Sequence, residues 1–343
     1  MPLAGAVVAV TAAPRAAAPR TVAPRAAASR QVLVLRALGL GDLLTGVPAL
    51  RALRRGLPGA RIALAAPAAL GPLARASGAV DDVLPADRGL ASLPDAGPVG
   101  TAVNLHGSGP RSHRLLARLS PGRLLAFACP EAGHTGGPAW DPGEHEVARW
   151  CRLVSAYGFA ADPADLGLPA PAARSPAPGA VVVHPGAAYP ARRWPAERFA
   201  AVAAALRGRG ERVVVTGGPG EGRLARRVVE LAGLDGTADL SGRTGLPELA
   251  ALVAGARLVV CGDTGVAHLA TAYRTPSVLL FGPTPPDRWG PPDRPEHVVL
   301  WAGRRGDPHG REPHPGLLEI TADQAAEAAG RALARHRRGD ERT

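Results

Sequence analysis

The chain has 343 residues and is 46% hydrophobic, which excludes a disordered chain and leaves room for two domains with cores of their own. Aromatic residues are only 3% and the basic residues are all arginine, so any core must be built from Ala, Val and Leu. The net charge of +11 sits mainly at the ends, with +4 in residues 1–30, +3 in residues 331–343 and +4 over the 300 residues between, and no basic patch is interleaved with aromatics; this does not describe a nucleic-acid partner.

Residues 1–30 repeat Pro-Arg in an Ala-rich background and read as a disordered leader. The stretch "LAGAVVAVTAA" (3–13) has the length of a signal h-region but lacks a preceding positive charge. Order is expected from residue 31. The apolar run Val32–Leu35 predicts a buried parallel strand. Gly39 and Gly41 break it, and from Leu43 a helix carries Leu44, Val47, Leu50 and Leu53 on one face. Strands are expected at 61–67, 80–85 and 101–107, and an amphipathic helix at 145–158. The Pro-rich stretch 168–179 reads as a linker, with residues 171–179 as its core. It separates an N-terminal unit, 31–170, from a second unit, 180–320.

The second unit alternates again. Strands are expected at 180–186, 212–218, 257–262 and 277–283, with helices at 195–208, 221–232 and 246–255 between the first three. Residues 285–316 read as loop, and 322–338 as a final helix within a C-terminal segment, 321–343. Strand–helix alternation on both sides of a linker predicts an α/β protein of two doubly wound, Rossmann-like domains facing a cleft. Ligands of such sheets bind at strand C-terminal ends. Cys129, Cys151 and Cys261 lack metal or redox spacing, which fits a reducing cytoplasm, and no apolar run reaches the roughly 18 residues of a membrane span.

Several short motifs fall at those strand ends. In "GLGD" (39–42) the glycines let the backbone turn and approach a ligand, while Asp42 is either a helix N-cap or a cleft carboxylate. In "HPGAAYPARRWPAERF" (184–199), Arg192 and Arg193 precede a helix and either clamp a phosphate or are solvated. "VTGGPGE" (215–221) lacks P-loop and dinucleotide spacing. Its Glu221 either accepts from a ribose or favours a helix N-terminus. In "VVCGDTGVAHLA" (259–270) the N–H groups of Thr264, Gly265 and Val266 would open a helix, where a pyrophosphate is favoured and Gly262 and Gly265 leave room for it. Asp263 repels phosphate and would instead hold the turn or accept from a sugar. His268 lies one turn further on, a structural histidine or a ligand contact. His297, His309 and His314 lack a zinc spacing and read as surface residues; no metal or cofactor is expected.

Together these motifs, with "VNLHGSGPRS" (103–112) and "FGPTPPDRWGP" (281–291), resemble glycosyltransferase family 9, the heptosyltransferases, over about residues 31–320. The resemblance implies a GT-B fold and an inverting, metal-independent glycosyl transfer, with heptose as the candidate sugar. It implies a nucleotide-diphosphate sugar donor on the second domain, and a saccharide or glycolipid acceptor on the first. It gives Asp42 the role of general base, Arg192 that of phosphate ligand and Glu221 a place near the ribose. Asp263, Thr264, Gly265, Val266 and His268 fall to the donor, and Gly39 and Gly41 to the cleft loop. Arg192 stands where well-known members have lysine, and Asn104 where many have aspartate. Cell-envelope glycan synthesis implies a cytoplasmic enzyme, with peripheral contact at the inner face of the membrane. A sugar-nucleotide epimerase of similar architecture and a non-catalytic nucleotide-sugar-binding protein are the alternative functions.

Overall fold

The computed structural model describes residues 30–340 apart from residue 88. Residues 1–29, nearly all of the expected leader, lie outside the described residues. In the first unit the order is β1 (Gln31–Leu35), α1 (Leu40–Thr45), α2 (Val47–Gly56), β2 (Arg61–Ala66), α3 (Gly71–Ala76), β3 (Asp82–Pro85), β4 (Thr101–Asn104), α4 (Arg111–Ala117), β5 (Arg123–Leu125) and α5 (Glu146–Ala156). In the second it is β6 (Val181–His184), α6 (Ala196–Gly208), β7 (Val213–Val215), α7 (Gly222–Leu231), α8 (Leu246–Ala254), β8 (Leu258–Gly262), α9 (Gly265–Tyr273), β9 (Ser277–Phe281), α10 (Pro286–Trp289), β10 (His297–Trp301), α11 (Pro315–Leu318) and α12 (Ala322–Asp340).

Two all-parallel five-stranded sheets result, ordered β3-β2-β1-β4-β5 and β10-β9-β8-β6-β7. The direction of winding reverses beside the first strand of each unit, between β1 and β4 and between β6 and β8. At such a reversal the loops leaving neighbouring strands diverge and open a crevice at the strand C-terminal ends. The loops after β1, β4, β6 and β8 therefore border the space between the sheets.

Side chains alternate across each strand. Val32 and Val34 enter one apolar cluster while Leu33 and Leu35 enter another on the opposite face. In the second unit Val182 and Val259 share the cluster of Val32, while Val181, Val183 and Val260 face an outer layer capped by α12 through Ala325, Ala329 and Leu333. The inner faces of both sheets thus belong to one apolar cluster rather than two separate cores. Between α5 and β6 the chain has neither helix nor strand. It is tied down by Arg51, which donates to Asp165 Oδ1 at 2.6 Å, and by the Leu168 N–H, which donates to Ala272 O at 3.1 Å.

The structure revises several expected elements. The helix expected from Leu43 begins at Leu40 and divides at Gly46 into α1 and α2, so Gly39 is the N-cap and Asp42 the third helical residue. Asp42 is not the cap itself: its Oδ2 accepts the Gly39 N–H at 3.0 Å. The expected loop 285–316 contains α10, the start of α11, and β10, the last an edge strand whose residues are all only half-buried. β5, three residues long, is too short for period-2 patterning to register. The final helix runs to Asp340.

α1 and α9 meet where the two units join. A Cβ at Gly41 would lie 2.7 Å from His268 Cδ2, and one at Gly265 would lie 2.8 Å from Leu40 Cβ. Glycine at these two places lets the helices touch backbone to backbone. Alanine at 265 should be mildly favourable by helix propensity alone. Here its methyl meets a Cβ that cannot swing aside, so Gly265→Ala should instead destabilise by about 1–3 kcal/mol, the usual cost of overpacking. Urea unfolding measures this, and an unchanged or raised midpoint would show that the two helices are free to separate.

Candidate active site

A cleft of about 820 Å³ opens between the units and gathers every residue that the family resemblance assigns to the site. Gly39, Gly41 and Asp42 form one wall; Arg192, Glu221, Asp263, Thr264, Gly265, Val266 and His268 line the other.

On the first wall the organising residue is Arg36, which sequence patterning does not single out. It follows β1 directly, and its side chain is fully buried. Its guanidinium donates to the carbonyls of Asp42 and Leu105, to Thr45 Oγ1 at 3.0 Å and to Glu146 Oε1 at 3.1 Å, and lies 4.7 Å over the Trp150 ring. Glu146 also accepts from Arg149, and from Trp150 Nε1 at 2.7 Å. A buried charge needs this degree of pairing to offset desolvation. The network pins the first turn of α1 and leaves the Asp42 carboxylate partly exposed, 3.9 Å from Arg36.

Asn104, given no role in the sequence, is fully buried and shapes the neighbouring loop. Its Oδ1 accepts the His106 N–H at 3.1 Å, and its Nδ2 lies 2.9 Å from Ser112 Oγ and 3.0 Å from His113 Nδ1. His113 in turn faces the Phe127 carbonyl at 2.8 Å, so its Nε2 is the protonated nitrogen and Nδ1 the acceptor. Burial and the nearby Arg36 charge push the His106 imidazole down to about 4.

On the second wall the sequence left Arg192 and Arg193 as alternatives. Arg192 lines the cleft, with Nη1 3.7 Å from Asp263 Oδ2 and its buried Nε without a partner. Arg193 turns away and donates to Ala187 O at 2.9 Å. Asp263 is therefore a counter-ion as well as a turn residue. Thr264 caps α9 without a side-chain bond; Ala267 N donates to Thr264 O at 3.0 Å, while the first two N–H groups, of Gly265 and Val266, have no intrahelical acceptor and belong to residues that line the cleft. Gly262 sits 3.2 Å, measured from its would-be Cβ, from the Arg192 carbonyl. Gly262 thus makes room for the 189–192 turn, and Gly265 for Leu40, rather than for a pyrophosphate alone.

Glu221 lines the cleft, with Oε2 accepting the Gly218 N–H at 2.7 Å. His184 stands behind it, its Nδ1 3.0 Å from Thr216 Oγ1 and its Nε2 4.0 Å from Glu221 Oε2. Burial drives the His184 imidazole below its ordinary value despite the neighbouring carboxylate.

The loop 304–314 also reaches the site. It is stitched to the 189–192 turn by Ala191 N donating to Gly310 O and His314 N donating to Ala191 O, both at 3.2 Å. This brings Arg305, Pro308 and His309 to the cleft, with the His309 ring edge-on to Tyr189 at 4.6 Å. His309, read as a surface residue, remains exposed yet belongs to the cleft rim. Arg288 and Trp289 of α10 line the cleft as well, and Trp289 packs on His268 at 5.8 Å. Among the described residues no group of three or more His, Cys, Asp or Glu side chains is arranged to hold a metal ion, and no helix is long and apolar enough to cross a membrane.

Two facing Rossmann-like sheets with a cleft at their strand C-terminal ends define the class: a GT-B fold. The chain belongs to glycosyltransferase family 9 (heptosyltransferase), whose model matches residues 139–313. It is 33% identical over 162 residues to lipooligosaccharide heptosyltransferase 2 of Haemophilus influenzae, covering 44% of this chain and 46% of that one. It is 35% identical over 125 residues to lipopolysaccharide heptosyltransferase 3 of Escherichia coli, covering 36% of each. These matches span half or less of the curated relatives' length. The fold is similar to that of E. coli ADP-heptose lps heptosyltransferase II, with TM-score 0.71, 23% identity, and coverage of 90% of this chain and 99% of that one. It is also similar to that of a family 9 glycosyltransferase from Veillonella parvula, with TM-score 0.72, 20% identity, and coverage of 91% and 99%.

His268 supplies a pH signature. Burial lowers its pKa from 6.5 to about 4, against the opposing pull of Asp263. The unfolded chain takes up this proton near the ordinary value and the folded chain only near 4, so stability falls as pH drops through that window. One proton gives a slope of about 1.4 kcal/mol per pH unit. His268→Gln should flatten the slope by up to about that amount, measured by urea unfolding at intervals between pH 6.5 and 4.5. An unaltered slope would mean that His268 titrates alike in both states.

Proposed function

We propose that the chain is an inverting glycosyltransferase, moving a sugar from a nucleotide-diphosphate donor to a hydroxyl of a saccharide or glycolipid acceptor. The observation that carries this reading is the placement of Asp42 and Arg192 on opposite walls of one cleft. A base and a leaving-group site must flank the reacting carbon in such a transfer.

The donor lies on the second unit. Its diphosphate faces Arg192 and the N-terminus of α9, where a guanidinium fork and unpaired N–H groups stabilise charge that grows as the bond to the sugar breaks. Glu221 accepts from the ribose hydroxyls. Asp263 holds Arg192 in place, and His268, neutral above about pH 4, offers a hydrogen bond rather than a charge. The acceptor enters from the first unit, where Asp42 takes the proton of the attacking hydroxyl. Units 31–170 and 180–320, joined by 171–179, are thus the acceptor and donor sides. The names of the relatives favour heptose as the sugar. The epimerase alternative is not favoured by these similarities.

Peripheral membrane contact at the inner face is part of this proposal. Arg111 and Arg114 are exposed on α4, Arg118 is exposed at its C-cap, Arg123 is exposed at the start of β5, and residues 105–125 contain no acid. Such a stripe suits an anionic lipid surface at roughly 1 kcal/mol per arginine. Co-sedimentation with anionic but not zwitterionic vesicles is the expected result, and equal sedimentation with both would remove the contact.

Replacing Arg192 with Ala should weaken nucleotide-diphosphate binding by about 1.5–3 kcal/mol, with little change for the free nucleoside. Arg193→Ala should be silent in the same titrations. Equal losses for diphosphate and nucleoside, or a larger loss at Arg193, would rule against the phosphate assignment.

Asp42→Asn keeps an acceptor for the Gly39 N–H but loses the basic oxygen. Turnover should fall by about 100- to 10,000-fold with donor affinity and Tm nearly unchanged. Near-normal turnover at saturating donor and acceptor, with chemistry rate-limiting, would leave Asp42 only its role in the first turn of α1 and favour a different base. Donor binding with no transfer even by the unaltered chain would favour a non-catalytic binding protein.

A further inference from the structure

Glu221 owes its position to a residue 35 places earlier in the chain. An ideal Cβ built on Gly186 falls 2.2 Å from Glu221 Oε2 and 2.3 Å from both Cδ and Oε1. The carboxylate therefore occupies the volume where any side chain at 186 would begin. Gly217 and Gly218 close round it, their would-be Cβ atoms 3.2 Å from Glu221 Cβ and 3.4 Å from Oε2. Oε2 is bound by the Gly218 N–H at 2.7 Å, and His184 backs the group at 4.0 Å. The side chain is 20% exposed and lines the cleft. Gly186 has no left-handed φ, so its backbone conformation is open to any residue. The space is what requires glycine.

We propose that Gly186 is the positioning residue for the donor's ribose: by having no side chain it seats Glu221 so that Oε1 meets a ribose hydroxyl, and it thereby makes the site prefer ribonucleotides over deoxyribonucleotides. The "HPG" turn after β6 is then the floor of the sugar subsite of the nucleoside. This rests on the donor reading above, in which Glu221 contacts the ribose.

A methyl at 186 is accommodated by the flexible end of Glu221 rather than by backbone, so Gly186→Ala should fold. The carboxylate would swing out of its seat, and the ribose hydroxyl would lose a charged hydrogen bond. Such a bond corresponds to roughly 10- to 100-fold in affinity.

The test is calorimetric titration of the full chain with ADP, GDP, CDP and UDP, with their 2′- and 3′-deoxy counterparts, and with inorganic pyrophosphate. The unaltered chain should prefer the ribo form of its best nucleotide over at least one deoxy form by roughly 10- to 100-fold. Gly186→Ala and Glu221→Ala should each abolish that preference while pyrophosphate affinity stays unchanged. The double variant should lose no more than Glu221→Ala alone, because the two residues act as one unit. A preference retained in Gly186→Ala but lost in Glu221→Ala would overturn the role of Gly186 and leave the donor reading standing. A preference retained in Glu221→Ala would overturn the ribose assignment itself. Loss of pyrophosphate binding in Gly186→Ala that persists in the double variant, where the methyl has room, would show general damage to the turn and equally overturn the proposal.

Discussion

The close approach of α1 and α9 governs the rest of the structure. Each helix follows the strand next to its sheet's winding reversal, so each starts at a crevice. Gly41 and Gly265 allow these two starts to touch. The contact sets two crevices face to face, and it brings Leu43 and Leu44 of α1 and Val266 and Leu269 of α9 into one apolar cluster. Sites shared between rigid bodies demand sub-ångström placement. A shared core that ends in a glycine contact fixes the two crevices relative to one another.

Around that contact the charges are arranged in two groups, one buried and one half-buried. On the first wall Arg36, Glu146 and Arg149 are nearly dry, and their partners include two tryptophans. On the second, Asp263 balances Arg192 only loosely at 3.7 Å, and the Arg192 Nε has no partner. In the first, every guanidinium nitrogen of Arg36 is paired and a backbone turn is held in place, although the buried Arg149 Nε is also without a partner. The second retains donor capacity. In the proposed function this loosely paired arginine beside a helix N-terminus takes the donor's anionic diphosphate, because each group carries unspent hydrogen-bond donors.

The arginine-only composition bears on both groups. A guanidinium presents five donors in a plane, so Arg36 can satisfy two carbonyls, a hydroxyl and a carboxylate at once. A lysine ammonium has three donors and could not meet all four. The same planar fork distinguishes Arg192 from the lysine expected from the family resemblance, and suits two phosphate oxygens rather than one.

The sequence by itself determined the alternation of strands and helices, because periodicity in apolar residues is local. It also determined the positions of the strand-end motifs, since a glycine next to an acid after an apolar run is visible without a fold. It could not register β5 or β10, the one too short and the other half-buried, because neither shows a clean period of two. Whether Asp42 caps its helix depended on where α1 starts, which packing and Arg36 decide. Arg36 itself looked like any arginine after a strand, and its burial follows from Glu146, 110 residues away. The choice between Arg192 and Arg193, the fold-back of 304–314 onto the cleft, and the seat that Gly186 makes for Glu221 were likewise decided only by tertiary structure. Each depends on which groups lie within a few ångströms across the chain, and the excluded volume and desolvation that settle such contacts leave no periodic trace in the residues that make them.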